Sequence, residues 1–186
     1  ITYSMMIIMG FLMLTMVSIM LPRAAIAANR IQEVLDTEIS LTDKKDADAN
    51  ADIVIACVHW GTEYSNKLEQ VQIDTAKEYI DCGADLIIGA HSHCLQGIEY
   101  YDGKPIFYGL GNYWFNEKTL DTMLVTVRFT GEGDEIKLQP SIVPALQAGC
   151  ETQYICDAAK QRQLYDYLES ISFNIQIDDS GVIKAK

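Results

Sequence analysis

The sequence predicts an α/β fold built on a parallel pair of buried strands. Two apolar runs, residues 52–58 and 85–89, have the length of strands, and residues 66–81 between them have the apolar spacing of a helix. A strand, a helix and a second strand favour parallel pairing through a right-handed crossover. The chain has 186 residues and 49% apolar content, which is enough for one domain with its own core.

Histidines follow both predicted strands, and the chain contains only three of them, His59, His91 and His93. Ligands of open α/β sheets bind beyond the carboxyl ends of the strands, so we expect the three imidazoles to meet at one sheet edge. If the backbone there is extended, His91 and His93 point to one face, because side chains alternate with a period of two. Since imidazole is the commonest protein metal ligand, the pattern favours a metal site over hydrogen-bonded loop histidines.

Two other polar residues are candidates for the same site. Glu63 lies four residues after His59 and could bind the metal, support a histidine or act as a general base, with a plain surface glutamate as the alternative. Asn112 follows Gly109-Leu110-Gly111, a pattern that indicates close backbone approach, and its amide could contact a ligand. The aromatic residues 113–115 could wall a pocket or pack in a core.

The N-terminal segment, residues 1–28, has the pattern of a signal peptide or membrane anchor. Residues 5–21 form a run of 17 residues without a charge, followed by a proline and an Ala-Ile-Ala triplet. The run is at the short end of what spans a bilayer. We therefore expect a membrane-anchored or extracytoplasmic protein of the cell envelope, with a buried helix of the domain as the alternative. Residues 29–186 are predicted to form the domain itself.

The remaining elements are predicted in chain order. Residues 29–42 carry a short helical pattern, and residues 43–50 are typical of a solvated turn. The helix between the two strands has its apolar stripe on Val71, Ile73, Ala76, Tyr79 and Ile80. Asp102-Gly103 is a strong hairpin signal, because a type I′ turn needs positive φ at both central residues. Further predictions are strands at 122–130 and 135–143, a turn at 131–134, a helix at 157–173 and a hairpin at 174–186.

Charge and cysteine content exclude several classes of partner and site. The net charge of −12 argues against nucleic acid and against docking on anionic lipid. The five cysteines show no C-x-x-C spacing, so a zinc knuckle is not expected. Cys57 and Cys82 are interpreted as small buried hydrophobes, and Cys94 is a weaker candidate ligand than the histidines. Cys150 and Cys156 are close enough in sequence to pair, but only in an oxidising compartment.

Three segments around these residues form a recognisable set of motifs. They are Val-His-Trp-Gly-Thr-Glu-Tyr at 58–64, Gly-Ala-Asp-Leu-Ile-Ile-Gly-Ala-His-Ser-His at 83–93, and Lys-Pro-Ile-Phe-Tyr-Gly-Leu-Gly-Asn-Tyr-Trp-Phe at 104–115. In this order they resemble CapA-type proteins of poly-γ-glutamate capsule biosynthesis, a family similar to calcineurin-like metallophosphoesterases. The resemblance implies an α/β sandwich of two mixed sheets flanked by helices. It also matches His59 to an isolated metal-binding histidine, and His91 and His93 to the Gly-His-x-His motif.

The resemblance further implies a divalent metal (Mn, Fe or Zn) and the hydrolysis of a phosphoester. The implied partners are poly-γ-glutamate or a phosphoester substrate and the capsule synthesis machinery. The Asp-x-His, Gly-Asp and Gly-Asn-His motifs of the phosphoesterase N-terminal half have no match in the sequence before His59. Residues 29–186 therefore resemble the C-terminal half of such a domain. Two alternatives stay open at this point, a non-catalytic, membrane-associated assembly or export factor for the polymer, and an inactive gene fragment.

Overall fold

The computed structural model describes residues 2–36, 51–131 and 136–186. The chain divides into two compact units, residues 1–45 and 46–186. In the first unit, helix α1 spans Thr2–Asp36 with Pro22 inside it. The 27 residues Tyr3–Asn29 have a peak mean hydropathy of 2.3 and are long and apolar enough to cross a membrane. None of the residues in that window is buried.

The second unit contains two helices and nine strands within its described residues, and it includes the predicted strand–helix–strand unit. The first five elements are β1 (Ile55–Trp60), α2 (Gln70–Asp81), β2 (Leu86–His91), β3 (Ile98–Tyr101) and β4 (Lys104–Phe107). The others are β5 (Leu120–Thr130), β6 (Lys137–Ala148), β7 (Glu151–Tyr154), α3 (Ala158–Ile171), β8 (Ile175–Ile177) and β9 (Ile183–Ala185). The short strand β7 was not predicted from the sequence. The predicted turns at 43–50 and 131–134 lie largely outside the described residues.

The strands form a mixed sheet, an antiparallel sheet and a small hairpin. The mixed sheet has the order β1-β2-β4-β3, in which β2 pairs in parallel with β1 and β4 while β3 and β4 are antiparallel. The antiparallel sheet has the order β5-β6-β7, and β8 pairs with β9. The predicted Asp102-Gly103 turn joins β3 to β4, with φ of 49° and 72°. This arrangement confirms the α/β sandwich with a mixed sheet, as a partial calcineurin-like domain.

Two apolar cores cover the two faces of the mixed sheet. Leu86 of β2 and Phe107 of β4 pack with Met123 of β5 and Leu168 of α3, so this core lies between the sheets and α3. The adjacent residue Ile87 points to the opposite face, because side chains alternate along a strand. There it joins the second core, which also contains Ala76, Ile80 and Ile106. The parallel strands are thus fixed from both sides.

Strand β1 is less buried than the sequence predicted. It lies at the edge of the mixed sheet, and the side chain of Ile55 is 47% exposed. Cys57 on the same face is exposed, and Cys82 is exposed because it caps the end of α2. The interpretation of these two cysteines as buried hydrophobes was therefore wrong. Cys150 and Cys156, like the other thiols, are unpaired.

Helix α2 begins four residues later than the predicted helix, and its buried face is shifted. Val71 was placed on the apolar stripe but is 63% exposed, whereas the neighbouring Gln72 is 1% exposed. Ala76 and Ile80 are buried as expected. The polar Gln72 faces the loops at the end of β2, which apolar periodicity alone does not reveal.

Glu169 ties helix α3 to the terminal hairpin. Its carboxylate accepts hydrogen bonds from the Arg162 side chain (3.0 Å) and from the backbone N–H of Ile177 (2.9 Å). Burial acts to raise the pKa of this carboxyl, but the hydrogen bonds and the charges of Arg162 and Lys186 outweigh it and hold the pKa below its usual value.

We expect Glu169→Gln to lower the free energy of unfolding by about 1 kcal/mol at pH 7, because it weakens a charged hydrogen-bond acceptor. A lowered pKa in the folded state means that this contribution exists above the unfolded pKa and disappears as the pH falls through the folded pKa. Urea unfolding at pH 7 and at pH 3 should therefore show a smaller difference between the two proteins at pH 3. Asp166→Asn, which removes an exposed partner of Arg162, is the control with little effect at either pH. An equal loss for Glu169→Gln at both pH values would contradict the prediction.

Candidate metal centre

The three parallel strands β1, β2 and β4 end at one edge of the mixed sheet, and the predicted site lies there. His59 is the next-to-last residue of β1, His91 is the last residue of β2, and Asn112 follows β4 by five residues. These three residues and His93 line one cavity of about 360 Å³. The expectation that parallel strands bring the three histidines to one sheet edge is therefore confirmed.

His59 and His91 form a close pair. The Nε2 atom of His59 and the Nδ1 atom of His91 are 2.8 Å apart, and the ring centroids are 4.5 Å apart. One imidazole must donate and the other must accept, so one hydrogen lies between the two nitrogens. The two rings thereby face each other at the cavity.

The backbone at the second histidine motif is not extended, which corrects the expectation of an alternating His-x-His segment. His91 has a φ of 95° and His93 a φ of 54°. The strand ends at His91, and the positive φ angles turn the chain back toward β1, where the backbone N–H of Tyr64 donates to the Ser92 carbonyl (2.6 Å). Non-glycine residues adopt this region at a cost of about 1–3 kcal/mol and do so preferentially at functional sites.

His93 is held on three sides by its neighbours. Its ring lies between those of Phe115 and Tyr64, with centroid distances of 4.4 and 5.5 Å. Its Nδ1 atom is 2.7 Å from Oδ1 of Asn112. Because an amide oxygen can only accept, the hydrogen is on Nδ1 of His93, and Nε2 keeps a free lone pair. Phe115 thus stacks on a site histidine, and Tyr113 lines the cavity. Of the two alternatives for residues 113–115, the pocket wall fits these two residues, and all three side chains are too exposed for a core.

The donor atoms fit a divalent metal in their type and, for one pair, in their spacing. Imidazole nitrogens and an amide oxygen suit zinc, iron and related metals. When two imidazoles bind the same ion at about 2.0–2.1 Å, their coordinating nitrogens lie roughly 3 Å apart. The 2.8 Å between the His59 and His91 nitrogens is close to that separation. Among the described residues, however, no three His, Cys, Asp or Glu side chains converge on one point. A complete set therefore needs His93 to approach the pair, since the His91 and His93 centroids are 6.1 Å apart.

The burial of the Asn112 side chain costs free energy of folding. Its side chain is 7% exposed, and its Nδ2 atom has no hydrogen-bond partner among the residues that the structure describes. Leaving a buried donor without a partner costs about 1–3 kcal/mol. The residue is kept in this position by its contact with His93, which is consistent with a role at the site.

Glu63 and Cys94 are weaker candidates for the metal site than the histidines. Glu63 is exposed, does not line the cavity, and has no hydrogen bond or ion pair with any described residue. Its role at the site stays a prediction. Cys94 is half-buried, and burial raises the pKa of its thiol, with the Ser92 hydroxyl offsetting part of that effect. The thiol is accordingly protonated, which makes it a poor ligand.

Sequence reasoning missed the residues that hold the site together. The indole Nε1–H of Trp60 donates to the carbonyl oxygen of Tyr108 (3.0 Å), and it crosses Gly89 of β2 to reach it. Gln72 and Gln96 are fully buried beside the histidine loops. Trp60 lies within the first motif quoted above, and this was the one signal that could have identified it.

Comparison with known proteins places this region in a wider group. The pattern of the family described as bacterial capsule synthesis protein PGA_cap matches residues 20–117, slightly more than half of the chain. The PGA biosynthesis protein CapA of Bacillus subtilis (strain 168) is 41% identical over 101 residues, which are 53% of this chain and 27% of that protein. The capsule biosynthesis protein CapA of Bacillus anthracis is 42% identical over 90 residues, 47% of this chain and 22% of that protein. The chain thus spans about a quarter of the length of these two relatives.

Proposed function

The chain belongs to the family of bacterial capsule synthesis proteins, and from this membership we propose that it acts in poly-γ-glutamate capsule synthesis as a CapA-type metal-binding protein. The names of the two Bacillus relatives support this role. The family match extends across all three histidines and Asn112. The exposed apolar helix α1 supports a location in the cell envelope, with the helix as a signal or an anchor and the capsule synthesis machinery as partner.

The observation that carries the metal proposal is the 2.8 Å separation of the His59 and His91 nitrogens at a cavity shared with His93. His59, His91 and His93 would hold one divalent ion, Mn, Fe or Zn. When bound, such an ion supplies Lewis-acid polarisation of a phosphoester and a water of lowered pKa. Asn112 orients His93 by accepting from its Nδ1, which leaves Nε2 free to face the cavity.

The reaction that best suits this arrangement is hydrolysis of a phosphoester. The aromatic rings of Tyr64 and Phe115 stack on the two faces of His93 and so fix the plane of its ring. Glu63 remains the candidate general base of the loop after β1. Because it is exposed, it would have to turn toward the cavity when a substrate is present.

A metal and turnover assay on the full chain in detergent tests this function. We expect the protein to bind about one zinc or manganese ion and to hydrolyse bis(p-nitrophenyl) phosphate only when the metal is present. His59→Ala should lose both properties, since it removes one nitrogen of the close pair. Gln163→Ala, an exposed change on α3 away from the cavity, should keep both. Absence of bound metal, or equal turnover in His59→Ala, would overturn the proposal.

A second candidate function is a non-catalytic assembly or export factor for the polymer. It is favoured by the cavity itself, because none of the described residues that line it is Asp or Glu. Two-metal phosphoesterases need bridging anionic ligands, and neutral histidines alone do not supply them. Metal binding without hydrolysis, together with metal-dependent retention of poly-γ-glutamate, would select this function. The net charge of −12 opposes a polyanionic polymer, so such retention needs a local metal or a basic pocket.

A further inference from the structure

Two buried glutamines form a connected pair beneath the histidine loops. Gln72 is 1% exposed and Gln96 is fully buried. The Gln72 Nε2 atom donates to Oε1 of Gln96 (3.1 Å), and Gln96 Nε2 donates to the Ser65 carbonyl (3.0 Å). The remaining oxygen, Oε1 of Gln72, accepts from the backbone N–H of Glu69 (3.1 Å). Both side-chain amides therefore have partners at nitrogen and at oxygen, as buried amides require.

The pair connects every segment that carries a site residue. Ser65 lies in the loop that follows His59, and Gln96 itself lies three residues after His93. The backbone N–H of Gln96 donates to the carbonyl of Gly109 (3.0 Å), which precedes Asn112. One side chain and its backbone thus join the three loops at the carboxyl ends of β1, β2 and β4.

The loop after β1 also packs directly on this pair. Gly61, two residues after His59, has a φ of 84°, and a Cβ at that position would lie 2.8 Å from Nε2 of Gln72. The turn that follows His59 can take its course only because glycine leaves room for the amide. The position of His59 relative to β2 is therefore coupled to the position of Gln72.

Stability alone does not explain why two amides occupy this place. The Oε1 atom of Gln72 closes the capping box at the start of α2, which stabilises that helix, but this role does not require the contact of its Nε2 atom with Gln96. Replacing both partners of a buried hydrogen bond by apolar groups of the same shape is often nearly neutral for folding. What apolar side chains cannot reproduce is direction, since each amide bond fixes a particular loop carbonyl or N–H at a particular distance. An arrangement of this kind determines the spacing of the loops more than it adds to the free energy of unfolding.

We propose that Gln96, held by Gln72, is a positioning residue that sets the spacing of His59 from His91 and His93. This inference rests on the proposed metal site. The pair touches no metal or substrate and acts through the three loops that it joins. Its loss weakens metal binding because the nitrogens of His59 and His91 no longer lie at the separation that one ion requires.

The test compares Gln96→Met and Gln72→Met, which keep the approximate side-chain volume, with the wild type. Tyr100→Phe is the matched control, because it also removes one hydrogen bond, to the Ile183 carbonyl, from a tyrosine at the other end of the sheet. Zinc affinity is measured by competition with a chromophoric chelator on the full chain in detergent. We expect Gln96→Met to bind zinc about tenfold more weakly, the size typical of residues that orient metal ligands, and Tyr100→Phe to be unchanged. Thermal midpoints show that each variant is folded.

A second readout separates this inference from the metal proposal. The ¹⁵N imidazole resonances of His59 and His91 report their shared proton without any metal. In Gln96→Met or Gln72→Met we expect these two resonances to shift or broaden, and in Tyr100→Phe to remain in place. If the wild type binds no zinc, the proposed function fails, while the imidazole resonances still decide the positioning role. Unchanged resonances in both glutamine variants, or zinc affinity within twofold of the wild type, would overturn it.

Discussion

Gly89→Ala is expected to destabilise the second unit by about 3 kcal/mol or more. A Cβ at position 89 would collide with the carbonyl oxygen of Tyr108 and with the indole nitrogen of Trp60. These two atoms are partners in a 3.0 Å hydrogen bond that passes directly over the glycine. The added methyl group must therefore break the bond or separate β2 from the strand beside it. For a domain of this size the thermal midpoint should fall by roughly 10 °C.

Gly103→Ala is the matched control for that substitution. A Cβ at Gly103 has nothing within 4 Å, but the residue has a φ of 72°, so its cost is conformational and about 1 kcal/mol. Gly89 carries no such backbone constraint, and its cost is steric. Thermal unfolding of the two variants should show a clearly larger loss for Gly89→Ala. Equal midpoints would mean that Trp60 moves aside freely and that its bond to Tyr108 does not matter.

The second large effect is expected at His91, where two substitutions should weaken metal binding alike but differ in folding stability. Both His91→Ala and His91→Gly remove a nitrogen of the close pair, so we expect zinc affinity to fall by more than about 100-fold, beyond the cost of losing an orienting residue. The φ of 95° is strained for alanine and acceptable for glycine. His91→Gly should therefore be more stable than His91→Ala by about 1 kcal/mol in urea unfolding.

Asp102→Gly provides the control for this pair of variants. Asp102 also has a positive φ, 49°, but it lies in the turn before β4, at the opposite end of the mixed sheet from the site. Its replacement relieves the same kind of backbone strain and should leave zinc affinity unchanged. Zinc binding retained in His91→Ala would remove His91 from the metal site. Greater stability of His91→Ala than of His91→Gly would show that the positive φ is not strained.

Local sequence patterns were sufficient for most of the elements. The Asp102-Gly103 turn defines its hairpin by the positive φ that both residues adopt. Helix α3 begins after Asp157, whose carboxylate caps it by accepting from the backbone N–H of Lys160 (2.9 Å). Such features depend on a few consecutive residues, and the sequence contains all of that information.

Features that depend on distant residues were predicted less well. The exposure of Cys57 follows from the place of β1 at the sheet edge, and a strand does not encode its own position in the sheet order. The burial of Gln72 follows from the presence of Gln96, which is 24 residues away in the sequence. The turn at His91 follows from the contact of Ser92 with Tyr64. In each case a tertiary contact overrides the preference of the local pattern.

The meeting of three histidines at one sheet edge can be read from the sequence, because parallel strands place their carboxyl ends together and each histidine lies at or just beyond such an end. The pairing of His59 with His91, and of His93 with Asn112, is visible only in the folded structure. Which partner each histidine contacts depends on side-chain rotation and on the loops that Gln96 connects. Chain order fixes which residues approach one another, and packing among distant residues fixes the distances at which chemistry takes place.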